Sequence, residues 1–175
     1  MTKSLDLGCG PDPKNLFQAD EVFGIDIRDD LGPHIRKADL VIEPIPFEDD
    51  SFDFVTAVDF IEHIPRIIYM PHRRQPFVEL VNEIYRVLKP EGLFLSHTPA
   101  FPHAAAFGDP THVNIIAEHT WQAYFDDTNQ WAKMYGFTGA FRILKSEWHG
   151  AHLQTILQKV AGPAVATAEP VSAGS

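Results

Sequence analysis

Short apolar strands alternate with turns and helix-like segments along the chain, and this alternation constrains the fold more than any other feature. Seven strand-like segments occupy residues 4–8, 21–27, 37–45, 51–60, 92–99, 140–148 and 151–160. Two segments carry apolar residues at helical spacing, 75–92 and 119–137. This pattern predicts an α/β fold with a doubly wound, mostly parallel, seven-stranded sheet. The last two strands, joined across Gly150, predict a C-terminal antiparallel hairpin.

The first strand runs directly into a glycine turn, "LDLGCG". Gly8 and Gly10 suit a backbone that turns sharply and lets a ligand approach closely. Ligands of such sheets bind beyond the carboxyl ends of the strands, where strand order reverses. The turn therefore predicts a ligand site, and a purely structural turn is the alternative. Only about ten residues separate the first two strands, so any helix between them is expected to be short.

The second strand ends at Asp26, sixteen residues after Gly10. A carboxylate at this place can accept hydrogen bonds from both ribose hydroxyls of an adenosine. A nicotinamide dinucleotide site would need a third glycine facing the pyrophosphate, but Pro13 stands there, next to Asp12. An aspartate would repel a pyrophosphate and would not repel an adenosine ligand without phosphate. The pattern therefore disfavours a nicotinamide-dependent oxidoreductase.

The charge and composition of the chain limit the classes of partner that it is expected to bind. A formal charge of −10 and a pI near 5.2 argue against a broad nucleic-acid surface. One cysteine, Cys9, allows no intrachain disulfide and fits a reducing cytoplasm. No apolar stretch reaches membrane-spanning length, and the first residues lack a signal-peptide pattern. We therefore expect a cytoplasmic protein that binds neither nucleic acid nor membrane.

Five motifs in order resemble those of class I S-adenosylmethionine-dependent methyltransferases, a Rossmann-like family. They are "LDLGCG", "GIDI", "ADL", "FDFVTAVDFIEHI" and "EIYRVLKPEGLFLSHTP". The likeness implies one S-adenosylmethionine-binding domain over residues 1–160, with S-adenosyl-L-methionine as cofactor. The tail at 161–175 is rich in small residues and is expected to be disordered.

The resemblance also implies roles around the methionine half of the cofactor. Asp6, Gly8 and Gly10 would shape that part of the pocket. Asp59 and Phe60, after the fourth strand, would line the same side. Taken alone, Asp6 could equally cap a neighbouring turn.

The adenosine half would be held by the next two motifs. The resemblance places Asp26 on the ribose hydroxyls and Ile27 against the adenine face. Asp39 would accept a hydrogen bond from the adenine amino group, with the Leu40 backbone nearby. Asp39 could instead be an ordinary surface residue.

Histidines are the candidates for a general base, which a hydroxyl acceptor would require. His63 follows the fourth strand, and His112 lies in "DPTHVN", a stretch similar to one that borders the acceptor pocket in some bacterial methyltransferases. We predict both as catalytic residues, with His97 and Asp109 contacting the acceptor. His63 could instead be a packed histidine at a helix start. The segment from 99 to 117 has no clear period and is long for a plain connection.

A metal site is the competing interpretation of these side chains. The candidate ligands, from His97 to His112, have a spacing that matches no compact metal motif. Displacement at a sulfonium also requires no metal. We therefore predict no bound metal.

The segment 64–77, "IPRIIYMPHRRQPF", is longer than the usual link in the family. Family members also carry helices ahead of the first strand that cover the cofactor, and this chain reaches its first strand at about Ser4. The segment could be a replacement lid, a subunit interface with exposed apolar residues, or part of the core. Cover for the site is expected from this segment, a partner chain or the acceptor.

The sequence thus predicts methyl transfer to a small molecule or biosynthetic intermediate by in-line displacement. The alternative is a non-catalytic, methyltransferase-like subunit that needs a partner chain. Methylation of a base amine is disfavoured, because "VDFIEH" replaces the Asn/Asp-Pro-Pro-aromatic motif of those enzymes. A homo-oligomer or a partner chain covering the site is also compatible with the sequence.

Overall fold

The computed structural model describes residues 1–160, and the predicted disordered tail at 161–175 lies outside the described residues. The strands are β1 (Lys3–Leu7), β2 (Glu21–Asp26), β3 (Ile35–Lys37), β4 (Phe52–Val58), β5 (Leu88–Phe101), β6 (Ile116–Ala117), β7 (Phe141–His149) and β8 (His152–Lys159). The helices are α1 (Pro76–Val87), α2 (Ala105–Gly108) and α3 (Thr120–Tyr124), with short 3-10 helices at Ile61–His63 and Trp131–Tyr135.

The strands form a sheet whose main path runs β3–β2–β1–β4–β5–β8–β7. Strands β1 to β5 pair in parallel, whereas β8 runs antiparallel to both β5 and β7. The predicted mostly parallel, doubly wound sheet with a C-terminal hairpin is confirmed. The predicted number of strands is one too low, because β6 pairs with the end of β5 off the main path. Strand order reverses between β1 and β4, which is where ligands bind in such sheets.

Strand register brings particular side chains to the carboxyl edge of the sheet. Val58 at the end of β4 lies level with His97 of β5. Successive side chains of a strand point to opposite faces, so His97 and Thr98 face opposite sides of the sheet. Strand β8 begins at this same edge, because Pro99 pairs with His152. Two faces of one edge therefore receive polar side chains from β4, β5 and β8.

Helix α1 and a group of aromatic residues cover one face of the sheet. Pro76 occupies the first turn of α1, where its missing N–H costs nothing. The apolar residues of α1 then recur at helical spacing and are buried. Phe77 packs edge-on against Trp121 and Phe125, at centroid distances of 5.8 and 5.6 Å. Residues of α3 and the loop after it therefore complete the core that the predicted helix 75–92 begins.

The opposite face is covered less completely. Near β1 it is covered by residues 8–20, where Phe17 stacks on Phe54 at a centroid distance of 4.6 Å. Toward β5 and β8 the side chains of Leu93 and Ile156 remain only half-buried. Part of this sheet face is therefore accessible.

The single helix predicted over 119–137 is wrong. Helix α3 ends at Tyr124, and a separate 3-10 helix follows after an irregular turn. The Asp126 carboxylate accepts hydrogen bonds from the Thr128 N–H and hydroxyl, at 3.1 and 2.6 Å, and from the Ile143 N–H at 3.2 Å. Side chains that bind nearby backbone groups in this way compete with helix formation. The apolar periodicity is therefore real, but it is divided between two short elements.

Three other segments differ from their predicted secondary structure. Within the described chain, residues 8–20 form turns rather than a short helix, because two prolines remove backbone donors. The third strand is Ile35–Lys37 and not 37–45. The predicted helix 75–92 ends earlier than expected, because β5 begins and pairs with β4 at Leu88, two residues before Pro90. None of the described helices is both long and apolar enough to cross a bilayer.

Candidate functional site

The glycine turn after β1 has the backbone that only glycine adopts easily. Gly8 and Gly10 have φ of 65° and 63°. A side chain at Gly8 would overlap the ring of Phe60, which packs directly on the turn. Gly8 is therefore needed both for the turn and for the contact between this turn and the residue after β4. That Phe60 lines the methionine half of the cofactor stays a prediction.

Asp6 fixes the position of this turn from inside the protein. Its carboxylate accepts hydrogen bonds from the Thr56 hydroxyl at 2.6 Å and from the Lys14 N–H at 2.8 Å. Burial raises the pKa of Asp6 above its ordinary value, against the effect of these bonds. With both oxygens bonded and 1% of the residue exposed, Asp6 positions the loop and does not project into open space.

Asp26 lies at the carboxyl end of β2 and is held by four neighbouring donors. It accepts hydrogen bonds from the Gly10 N–H at 2.9 Å, the Arg28 N–H at 3.0 Å, and the Arg28 Nε and Nη2 at 2.8 and 3.2 Å. Hydrogen bonding from the Arg28 guanidinium lowers the pKa of Asp26 to about 2. Asp26 is only 7% exposed, so its carboxylate is largely enclosed by these donors. A ribose diol would have to share this carboxylate with Arg28 or displace it.

The other residues predicted around the adenosine lie beside Asp26. Ile27 is 60% exposed and offers an apolar surface at the rim of the cleft. The Asp39 carboxylate accepts a hydrogen bond from the Val41 N–H at 3.0 Å, so one of its oxygens stabilises a turn. Leu40 is buried beneath this turn. One Asp39 oxygen thus holds the turn and the other has no hydrogen-bond partner in residues 1–160, and the contact of Asp39 with the adenine amino group stays a prediction.

Asp59 begins a first polar cluster at the edge of β4, β5 and β8. Its φ of 51° is unusual for a residue other than glycine, and such strain concentrates at functional sites. Its Oδ1 lies 3.1 Å from His152 Nε2 and 3.9 Å from His97 Nδ1. The His97 and His152 rings stack at a centroid distance of 4.7 Å. Burial lowers the pKa of His97, and the neighbouring His152 lowers it further.

A second cluster lies on the opposite face of the same edge. Glu62 is buried, and its Oε2 accepts a hydrogen bond from the Thr98 hydroxyl at 2.7 Å. The His63 and His112 rings lie edge-to-face, with centroids 5.0 Å apart. Within residues 1–160, His112 Nδ1 is buried and has no hydrogen-bond partner. The structure therefore brings together the two histidines that the sequence predicts as catalytic.

The "DPTHVN" segment is bonded to the turn after β4, and these bonds hold the second cluster together. The backbone N–H groups of Val113 and Asn114 both donate to the Glu62 carbonyl at 2.9 Å. The Asn114 side chain donates to the Ile61 carbonyl at 3.2 Å and accepts from Arg66 Nε at 2.7 Å. Asn114 is fully buried. These bonds place His112 beside His63 although 49 positions separate them in the sequence.

A chain of hydrogen bonds favours one tautomer of a neutral His63 ring. The Thr111 hydroxyl donates to Asp109 Oδ1 at 2.6 Å, so its oxygen is left to accept from His63 Nδ1 at 3.1 Å. A neutral His63 with its proton on Nδ1 has its lone pair on Nε2. The same Thr111 bonds lower the pKa of Asp109. Asp109 therefore acts through Thr111 on His63 in this structure, and it remains a prediction that it contacts the acceptor.

Either cluster has the ligand types for a divalent transition metal. Within the described chain, two groups of three side chains each bring one ligand atom within 4.8 Å of the others: Asp59, His97 and His152, and Glu62, His63 and His112. Their composition, two imidazoles and one carboxylate, is common among metal sites. Both groups combine residues that are distant in sequence, which chain spacing alone does not reveal. The predicted absence of a metal therefore stays a prediction.

Sequence reasoning missed three residues of these clusters. Glu62 gave a signal, because it is a charged residue inside an otherwise apolar run next to His63. Thr111 lies within the "DPTHVN" motif but has no obvious chemistry of its own. His152 gave no signal at all, because only the antiparallel register of β8 places it opposite β5. The arginine partner of Asp26 was also not anticipated.

Glu62→Gln is expected to raise the thermal stability at neutral pH. Burial raises the pKa of Glu62 in the folded state, so its contribution to stability is complete below its unfolded pKa, about 4.3. That contribution is lost as pH rises through the folded pKa. Gln cannot ionise and still accepts the Thr98 hydrogen bond. Thermal unfolding should show a Tm higher than wild type by a few degrees at pH 7 and little difference near pH 4; an equal shift at both would contradict the explanation.

The sequence of this chain is similar to those of known methyltransferases. A family model described as a methyltransferase domain matches residues 5–96, from within β1 through most of β5. The chain is 34% identical over 93 aligned residues to YcgJ, an uncharacterized methyltransferase of Bacillus subtilis (strain 168). That alignment covers 47% of this chain and 33% of YcgJ, so the chain matches about a third of its relative.

Three solved structures have a similar fold. The crystal structure of YcgJ superposes with a TM-score of 0.62 at 16% identity, covering 93% of each chain. An S-adenosylmethionine-dependent methyltransferase from Archaeoglobus fulgidus gives 0.60 at 16% identity, covering 90% of this chain and 86% of that one. A Haloferax volcanii chain, in a complex of the Trm112 methyltransferase activator with a methyltransferase, gives 0.60 at 14% identity, covering 93% and 83%. These low identities show the fold alone.

Proposed function

This chain belongs to the methyltransferase domain family, with the fold of class I S-adenosylmethionine-dependent methyltransferases, and we propose that it transfers a methyl group to a small-molecule acceptor. The observation that carries this proposal is the set of groups that meet at the carboxyl edge of the sheet. On one side of β4 this edge holds the glycine turn and Asp26, and on the other it holds the His63–His112 cluster. The proposed cofactor site and a candidate general base therefore lie on either side of the carboxyl end of β4.

The residues present fit S-adenosylmethionine. Asp26 offers a carboxylate for the ribose diol, and the exposed face of Ile27 suits a purine ring. Gly8 and Gly10 form the turn beside which the methionine half would lie, with the Phe60 ring packed against Gly8. When bound, the cofactor supplies a methyl group on a sulfonium, which is already a reactive donor. The protein then mainly has to align the acceptor and exclude water.

His63 is the proposed general base for an acceptor that carries a hydroxyl. Its Nε2 lone pair, set by the Thr111–Asp109 hydrogen bonds, receives the acceptor proton. With the cofactor bound, the electron pair left on the acceptor oxygen would form the new C–O bond, and sulfur would keep the electrons of the carbon–sulfur bond that breaks. Thr111 and Asp109 hold the ring and balance the positive charge that His63 gains. His112, whose buried Nδ1 lacks a partner in residues 1–160, is proposed to hydrogen-bond the acceptor.

A non-catalytic subunit is the second candidate. The half-buried Leu93 and Ile156 leave one sheet face accessible to another chain, and the Haloferax volcanii neighbour is found with an activator protein. Such a subunit would bind the cofactor weakly or not at all when alone. Cofactor binding by the isolated chain therefore separates the two candidates.

Calorimetric titration of the purified protein with S-adenosylmethionine, S-adenosylhomocysteine and NADH tests the proposal. We expect Kd values in the micromolar range for both adenosyl ligands and no binding of NADH, because Pro13 replaces the third glycine and Asp12 would repel a pyrophosphate. Binding of NADH alone would contradict the cofactor assignment. Absence of all binding would overturn the catalytic proposal in favour of the subunit.

A further inference from the structure

A groove of about 610 Å³ lies between the inserted segment 64–77 and residues 115–135. Phe77 and Phe125 are buried at its base, and Tyr124 lines its wall. At its rim Ile67, Phe101 and Tyr135 are each about half exposed. Aromatic side chains thus surround a space of the size that small organic ligands occupy. We call this space the aromatic groove.

The charge of the aromatic groove is opposite to that of the protein. The chain has 24 acidic residues and a net charge of −10, yet no Asp or Glu lines this groove. Two arginines, Arg66 and Arg73, do line it. A groove without carboxylates and with two guanidinium groups favours an anion.

These two arginines also lack the partners that most other cations of the chain have. Nine of the fourteen lysines and arginines form ion pairs with carboxylates. Among residues 1–160, Arg66 pairs with no carboxylate, and its guanidinium is oriented by Asn114 and the Ile115 carbonyl. Arg73 has neither an ion pair nor a side-chain hydrogen bond in that part of the chain. Adjacent Arg74 is bound by Glu79 at 2.5 Å, so the difference is specific to position 73.

The groove adjoins the candidate catalytic cluster through three connections. Arg66 is three residues beyond His63, and Ile115 is three residues beyond His112. Asn114 links the two walls, because it accepts from Arg66 and donates to Ile61. At about 3.3 Å per extended residue, the near end of the groove is within about 10 Å of His112. A ligand in the groove could therefore reach the cluster with its other end.

We propose that the aromatic groove binds the methyl acceptor, and that this acceptor is an aromatic small molecule with one acidic group. The rings would pack against Phe101, Tyr124 and Tyr135, and the acidic group would pair with Arg66 and Arg73. The identification of this ligand as the methyl acceptor rests on the proposed methyl transfer. The preference of the groove for an aromatic anion does not. The inserted segment 64–77 then acts as a wall of the acceptor site.

Two fluorescent probes with the same rings test the groove. Anilinonaphthalene sulfonate is an aromatic anion, and phenylnaphthylamine lacks the sulfonate. We expect the sulfonate to bind at one site and more tightly than the neutral probe. Arg73→Ala should weaken sulfonate binding about tenfold, an ordinary effect for a partly desolvated charged hydrogen bond, and should leave phenylnaphthylamine binding unchanged. Arg74→Ala, the adjacent arginine already bound by Glu79, is the matched control and should affect neither probe.

Three outcomes would overturn the proposal. These are equal affinity of the two probes, an effect of Arg73→Ala on both probes or on neither, and displacement of the sulfonate by saturating S-adenosylhomocysteine. The last would place the probe in the cofactor cleft, whereas an acceptor and a cofactor must bind together. The proposed function fails separately, because it requires S-adenosylhomocysteine binding. A protein that binds the sulfonate through Arg73 but no adenosyl ligand would keep the anion site and lose its assignment to an acceptor.

Discussion

His63→Ala is expected to lower kcat by about a hundredfold or more, the contribution usual for a general base, while the Kd for S-adenosylmethionine stays unchanged. The reason is the Asp109–Thr111–His63 hydrogen-bond chain, which leaves the His63 Nε2 lone pair free to take a proton. Turnover would be followed by release of S-adenosylhomocysteine with an acceptor that carries a hydroxyl.

Two other variants separate catalysis from packing. Thr111→Val should lower kcat less than His63→Ala, because it releases the ring without removing the base. His112→Ala should likewise reduce turnover more than cofactor affinity. His103→Ala is the matched control, since His103 packs against Trp148 at 5.0 Å and is outside the cluster. Equal losses of turnover and cofactor affinity in His63→Ala would assign His63 a structural role.

Most of the sheet could be predicted from the sequence because its longer strands carry their own local signals. Apolar runs such as 51–60 and 92–99 end at glycine, proline or aspartate, and β4 and β5 indeed lie at the centre of the sheet. The hairpin across Gly150 is equally local, since its φ of 63° needs glycine. The helix predicted at 119–137 failed where a side chain, Asp126, bonds to a backbone that is close in space and not in sequence.

The candidate site was predictable only in part, for a similar physical reason. His63 and His112 each follow a recognisable motif, but their contact depends on Asn114 being buried against the turn after β4. His152 reaches Asp59 only through the register of antiparallel β8. Residue type and motif therefore identified groups that can do chemistry. Which of them meet is decided by long-range pairing, which a single sequence does not display.

Asp26→Ala is expected to weaken S-adenosylmethionine binding about a hundredfold. The carboxylate would accept two hydrogen bonds from the ribose, and charge-assisted bonds contribute about 1.5 kcal/mol each at the low end. Calorimetry gives the Kd, and thermal unfolding shows whether the variant folds. Folding is a real concern, because the same carboxylate holds the Gly10 N–H and the Arg28 guanidinium. Asp26→Asn keeps the shape of the side chain, so it is the second variant to use if Asp26→Ala does not fold.

Arg28→Ala gives the opposite expectation and so makes the ribose assignment testable even if Asp26→Ala is unstable. The guanidinium occupies the carboxylate that the ribose needs, and its hydrogen bond is the main reason that the pKa of Asp26 falls to about 2. Its removal should tighten cofactor binding several-fold and raise the pKa of Asp26, which NMR titration of the carboxyl carbon measures. Weaker binding in Arg28→Ala would mean that the arginine itself contacts the cofactor. Unchanged binding in both variants would place the ribose away from Asp26, and the cleft at the β1–β4 switch point would then need another anchor for the adenosine.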